Sequence, residues 1–266
     1  MTAASPPTSA APLDVARVAL VVNDPAGVAR FYEEALGLDR LHGDGEAVRL
    51  GAGGRTLLEL RGDAGAPRAG RGEAGLFHAA FLLPSRGALG AWLRHAAAAG
   101  LSLQGASDHL VSEALYLSDP EGNGIEVYAD RPRERWTGPD GRIRMTTEPL
   151  DLQGLMAAAD GPWGGAPEGT VLGHVHLRVG DVAEAERFYV GALGVEVMAR
   201  YPGATFLATG GYHHHLGANA WASRGAGPRR PEATGLAEVV LAARPGAAEP
   251  GVLADPWGTR VVVEAA

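Results

Sequence analysis

The sequence predicts an α+β fold built from four β-α-β-β-β units, the fourth shortened, arranged as two curved sheets. Three observations lead there. The first is an internal repeat. An offset of 157 residues lays Leu20, Val22, Asp24, Phe31, Tyr32, Ala35, Leu36 and Gly37 on Leu177, Val179, Asp181, Phe188, Tyr189, Ala192, Leu193 and Gly194. The second is a change of period within each repeat: an alternating, Val-rich run gives way to an apolar stripe at helical spacing. The third is a pair of matching turns, Asp119-Pro120-Glu121-Gly122 and Asp255-Pro256-Trp257-Gly258, each ahead of an apolar run.

Residues 1–12 are an expected disordered tail. They carry neither the basic start nor the continuous apolar stretch of a secretory signal. Residues 13–129 form an N-terminal half of two units. The first runs from Val15 to Leu60 and ends on a strand over Arg55–Arg61. The second runs from Gly75 to Ala129. Its first strand is Leu76–Leu83. Its helix, Gly87–Ala99, has Leu89, Trp92, Leu93 and Ala96 on one stripe and Gly100 as its stop. Strands around Ala114–Leu117 and Ile125–Tyr128 flank its turn. Residues 130–169 are a charged, then Pro- and Gly-rich arm with one helix candidate, Leu150–Ala159.

Residues 170–266 form the second half. Its opening run, Val171–Val179, puts His174 and His176 on one strand face, because side chains two apart share a face. Asp181 suits a helix N-cap, and Val182, Ala185, Phe188, Tyr189 and Leu193 give the stripe that Gly194 ends. Strands Val195–Tyr201 and Ala204–Ala208 follow, then a turn at Gly210-Gly211. The last strand of the unit is expected to start at Tyr212, with His213 and His215 on one face and His214 on the other. The fourth unit starts at Gly235 and has only ARPGAAEPG where a helix would stand.

Composition removes several function classes. A net charge of −8 does not suit a nucleic-acid surface. No apolar run approaches the roughly 18 residues that span a bilayer. With no cysteine there is no thiolate nucleophile, disulfide or Cys-held metal, which fits a cytoplasmic protein. What stands out is histidine: five of the nine lie between His174 and His215.

Four such units in a chain of this length resemble the vicinal oxygen chelate superfamily, which includes glyoxalase I, bleomycin-resistance proteins and type I extradiol dioxygenases. Two stretches, SDHLVSEALYLSDPEGNGIEVYADRPRERW and GHVHLRV…FYVGALG…TGGYHHHLGANAW, are similar to the bacterial catechol-2,3-dioxygenase branch. The resemblance implies that two units pair into a cup, with metal ligands from the first and last strand of each. Units two and three supply His78, Glu126 and His174. Unit one offers Arg17 and Glu59, and unit four Glu238 and Val262, with Glu264 two residues beyond. Two imidazoles and one carboxylate are the set that non-haem Fe(II) oxygenases use. The expected cup is therefore that of units two and three.

The resemblance further implies Tyr116 and His109 as hydrogen-bonding groups for ring oxygens and His215 as the catalytic acid/base. Histidine suits that work because it titrates near neutrality. His176, His213, Asn219 and Trp221 are candidate substrate-binding residues, each with an ordinary packing role as its alternative. The expected function is an Fe(II)-dependent extradiol dioxygenase that takes a small aromatic diol and O2, in a chain that is a candidate homodimer. The rivals are a glyoxalase-like lyase or isomerase using Mn, Zn or Ni, marked by a fourth ligand such as His215 or Glu59, and a metal-free small-molecule binder.

Overall fold

The computed structural model describes residues 11–41 and 47–266. Residues 1–10 of the expected tail lie outside the described residues, while Ala11 is buried. Unit one comprises β1 (Leu13–Val22), α1 (Pro25–Leu36), β2 (Asp39–Leu41), β3 (Val48–Ala52) and β4 (Arg55–Gly62). Unit two comprises β5 (Gly75–Leu82), α2 (Arg86–Ala98), β6 (Gly105–Asp108), β7 (Ser112–Ser118) and β8 (Gly124–Asp130). The arm holds β9 (Glu148–Pro149) and α3 (Leu152–Ala157), the latter shorter than the sequence suggested. Unit three comprises β10 (Val171–Arg178), α4 (Val182–Leu193), β11 (Glu196–Tyr201), β12 (Ala204–Ala208) and β13 (Leu216–Asn219). Unit four has β14 (Gly235–Ala243), β15 (Gly251–Ala254) and β16 (Arg260–Ala265), with a loop in place of the helix.

The helices form where the sequence supplies their ends. Asp181 accepts a hydrogen bond from Glu184 N at 2.8 Å and caps α4, and Gly194 closes it in the left-handed conformation at φ 66°. Asp24 and Gly37 do the same for α1. Each helix turns an apolar face inward. Tyr32, Leu89, Trp92 and Tyr189 are fully buried in one core that runs between the two sheets.

The sheets do not follow the halves of the chain. Units two and three build a nine-stranded sheet, ordered β11-β12-β13-β10-β5-β8-β7-β6-β9. Units one and four build a seven-stranded sheet, ordered β15-β16-β14-β1-β4-β3-β2. The joint in the larger sheet is β10 against β5, antiparallel, pairing His174 with Ala80 and His176 with His78. Ala80 in turn pairs with Glu126 on β8, and Glu126 with Tyr116 on β7. One rung across four strands therefore reads His174, Ala80, Glu126, Tyr116, with His78 two residues from Ala80 and on its face. The small Ala80 side chain leaves the middle of that rung open.

Candidate metal centre

The rung brings three ligand atoms together. His78 Nε2 lies 2.9 Å from Glu126 Oε2, His174 Nε2 lies 3.1 Å from the same oxygen, and the two nitrogens are 3.3 Å apart. Each of the three residues is buried. Ligands about 2.1 Å from one ion and at right angles to each other sit about 3.0 Å apart, so these spacings fit one metal ion bound on a shared face. The donor set, two neutral imidazoles and a carboxylate, suits a first-row divalent metal. Among the described residues no fourth ligand atom joins the group.

The centre opens onto a cavity of about 280 Å³. Phe77, Phe206 and Trp221 supply aromatic wall, and Met145, Thr146 and Thr147 of the arm close one side. His109 and Tyr116 form a fixed pair within it. His109 Nδ1 lies 2.6 Å from the carbonyl oxygen of Thr146, which can only accept. His109 therefore donates there, and in the neutral ring its Nε2 is the acceptor for the Tyr116 hydroxyl at 2.7 Å. The lone pairs of the Tyr116 oxygen remain for a ligand.

With this geometry in view, comparison with known proteins gives a consistent placement. The sequence pattern of the glyoxalase/bleomycin resistance protein/dioxygenase superfamily matches residues 14–127 and 171–261. The chain belongs to this superfamily. Within it, the chain is 44% identical over 215 residues to a catechol-2,3-dioxygenase of Bacillus subtilis (strain 168), covering 78% of this chain and 74% of that relative. A solved candidate dioxygenase from Bacillus subtilis subsp. subtilis str. 168 superposes with a TM-score of 0.63 at 12% identity, over 94% of this chain and 84% of that one. Glyoxalase I from Zea mays superposes with a TM-score of 0.58 at 18% identity, over 94% and 92% of the two chains. The two superpositions establish the superfamily fold. No described helix is long and apolar enough to cross a membrane.

Burial sets the electrostatics of the centre. Burial alone would raise the Glu126 carboxyl, but the His174 and His78 rings beside it hold it well below the usual range. Burial lowers His174 to about 4, against the pull of Glu126, so that ring is neutral. His176 and His214 are also lowered by burial and by the imidazoles around them. Tyr116 is raised, first by burial and then by Glu126. These shifts favour an ionised Glu126 carboxylate, neutral His174, His176 and His214 rings, and a protonated Tyr116 hydroxyl.

The triple histidine is placed differently from the expectation. It does not lie on a strand. Gly210 and Gly211 both take positive φ, and the chain resumes sheet pairing only near Leu216. Strand alternation therefore does not apply to residues 213–215. His214 lines the cavity, its ring centroid 4.0 Å from that of His174. His215 stacks on Tyr212 at 4.8 Å and accepts a long bond from Thr209 N at 3.4 Å, away from the cavity wall. His213 lies behind His214, against Asp130. Asn219 is buried at the end of β13, its Oδ1 accepting from Trp221 N at 3.3 Å, and it does not reach the cavity. His176 and Trp221 do line it. Sequence reasoning missed His214 as a cavity residue, and with it Phe77, Phe206 and the arm residues.

Proposed function

We propose that this chain is an extradiol dioxygenase that cleaves catechol-like aromatic diols with O2, using Fe(II) held by His78, Glu126 and His174. The observation that carries the reading is the buried two-histidine, one-carboxylate face opening onto an aromatic cavity, in a chain 44% identical to a catechol-2,3-dioxygenase. When bound, Fe(II) supplies Lewis acidity toward both hydroxyls and a path for electrons from the ring to O2. The protein supplies position and protons. Phe77, Phe206 and Trp221 flank the aromatic ring, and the Tyr116 oxygen accepts a hydrogen bond from one hydroxyl. His214, held neutral beside the centre, takes the proton of the other hydroxyl. The buried Nε2 of His176 has no protein partner, which suits a contact with the ligand.

The lyase or isomerase reading calls for a fourth ligand, and neither residue expected to supply one is in place. His215 is stacked on Tyr212, and Glu59 lies in the other sheet, paired with Arg61 at 2.7 Å.

The test is to purify the chain anaerobically, measure bound metal by mass spectrometry, reconstitute with Fe(II), and add catechol and O2. One iron per chain with a yellow ring-cleavage product is the expected result. A different divalent metal with no oxygen uptake would replace this reading with the lyase or isomerase. Failure to hold any metal after reconstitution would leave a binding protein.

A further inference from the structure

Behind His214 a chain of buried polar groups leads away from the cavity. His214 Nδ1 lies 2.9 Å from His213 Nδ1, and His213 Nε2 lies 2.8 Å from Asp130 Oδ1. His213 is fully buried, and the Asp130 side chain is 7% exposed. The His213 ring is fixed on three sides, by Tyr212 at 4.1 Å, Trp136 at 5.0 Å and Tyr128 at 6.2 Å between centroids. Glu126, Tyr128 and Asp130 alternate along β8, so the strand that carries a metal ligand also carries the end of this chain, on the same face.

We propose that Asp130, acting through His213, fixes the tautomer of His214 so that its Nε2 carries a lone pair toward the cavity. The direction of each hydrogen bond follows from the one before it. A carboxylate accepts and does not donate, so His213 Nε2 carries the hydrogen that Asp130 Oδ1 receives. With His213 as the neutral imidazole, one nitrogen donates and the other accepts, so its Nδ1 is the acceptor. The hydrogen between the two rings must then sit on His214 Nδ1. That leaves His214 Nε2 unprotonated, on the ring that lines the cavity. Low local polarity strengthens each of these bonds, and Trp136 from the arm helps keep water off them.

Asp130 and His213 touch neither metal ligand atoms nor substrate and are positioning residues. The catalytic half of the proposal rests on the dioxygenase reading, with His214 as base; the tautomer half does not. Asp130→Asn is close to isosteric and reverses the chain. An amide NH2 donates to His213 Nε2, His213 Nδ1 then carries the hydrogen, and His214 Nε2 becomes protonated and useless as a base. The same carboxylate-to-amide change behind a catalytic histidine costs about 10⁴-fold in kcat in a serine protease.

The experiment is nitrogen NMR of the full-length, metal-free chain labelled with 15N-histidine, with His214 assigned by the signal lost in His214→Gln. The expected wild-type spectrum shows His214 with a pyrrole-type Nδ1 and a pyridine-type Nε2, and the pattern inverts in Asp130→Asn. Asp130→Glu keeps an acceptor and is expected to retain the wild-type pattern. In iron-reconstituted enzyme, Asp130→Asn is expected to lose about 10³-fold or more in kcat with KM changed only a few-fold and iron content unchanged. A protonated His214 Nε2 in the wild type would overturn the proposal. So would an unchanged tautomer in Asp130→Asn, or a reversed tautomer with wild-type kcat. Should Asp130→Asn not fold, the wild-type spectrum decides alone. Absence of ring cleavage by the wild type would remove the dioxygenase reading and leave the tautomer result standing or falling by itself.

Discussion

At the scale of single residues, the centre depends on groups whose alternatives are closed off by their neighbours. Among the described residues no ligand atom other than that of His78 joins Glu126 and His174, so His78→Ala is expected to abolish tight metal binding, measured as metal per chain after gel filtration; retention of one iron would remove His78 from the ligand set. Tyr116→Phe leaves the ring packing but removes the oxygen offered to substrate. A loss of about 10²-fold in kcat with metal content intact is expected from steady-state kinetics of the reconstituted enzyme. Leu110 carries a different kind of constraint. It sits in the β6–β7 turn beside His109 with φ 67° and is 40% exposed. A leucine in the left-handed region costs about 1 kcal/mol or more, and its side chain gains little there. Leu110→Gly is therefore expected to stabilise the chain by about 1 kcal/mol in a denaturation series, without loss of activity. Destabilisation would show that the leucine side chain contributes more than the backbone loses.

At the scale of elements, close approach matters as much as chemistry. Gly173 on β10 precedes His174, and a methyl group there would sit 1.7 Å from the Tyr128 hydroxyl. Tyr128 bonds Tyr212 at 2.8 Å and helps wall in His213. Gly173→Ala is expected to cost about 2 kcal/mol or more in thermal or urea unfolding, since the Tyr128 hydroxyl that would have to move is buried and bonded to Tyr212; a neutral result would mean that Tyr128 moves freely. Elements of this kind were legible in the sequence where two signals agreed. Asp181, the stripe to Leu193 and Gly194 fix a helix at both ends, and the repeat places its partner. His78 and His174 were legible because each stands on the first strand of its unit, and Glu126 because it stands on the last strand of unit two, the two places where the superfamily resemblance puts ligands. The histidine loop was not. A period-of-two argument holds only for paired strand, and two glycines at positive φ let Tyr212 to His215 leave the sheet without any change in composition. Thr146 and Trp136 were equally hidden, because their partners are far away in sequence and the arm has no period to follow.

At the scale of the molecule, the two sheets answer each other position by position. The smaller sheet repeats the rung of the larger one as Glu238, Ala19, Glu59 and Arg49, with Arg17 two residues from Ala19. Where one sheet gathers ligands, the other gathers ion pairs. Arg61 reaches Glu59 at 2.7 Å and Glu238 at 2.6 Å, and Arg17 reaches Glu264 at 2.6 Å. Burial would raise the Glu59 carboxyl, but Arg61 and Arg49 outweigh it and the group is lowered below its usual 4.5. A carboxylate lowered on folding contributes stability above its unfolded value and loses it as pH falls through the folded one. Wild type is therefore expected to exceed Arg61→Met in stability at neutral pH, with the gap narrowing below the ordinary glutamate value of 4.5. A gap that held constant into acid would assign the effect to packing of the arginine stem.

The way the units pair also orders events in time. The sheet that carries the centre is drawn from one continuous stretch, β5 to β13, whereas the other joins β1 to β14 across more than two hundred residues of chain. Joining distant segments comes late when nearer ones can pair first. During synthesis the metal-binding sheet can close while the last strands are still being made, and the ion-paired sheet then shuts around it like a clasp. Pulse-labelled hydrogen exchange during refolding should protect β5, β8 and β10 before β1 and β14.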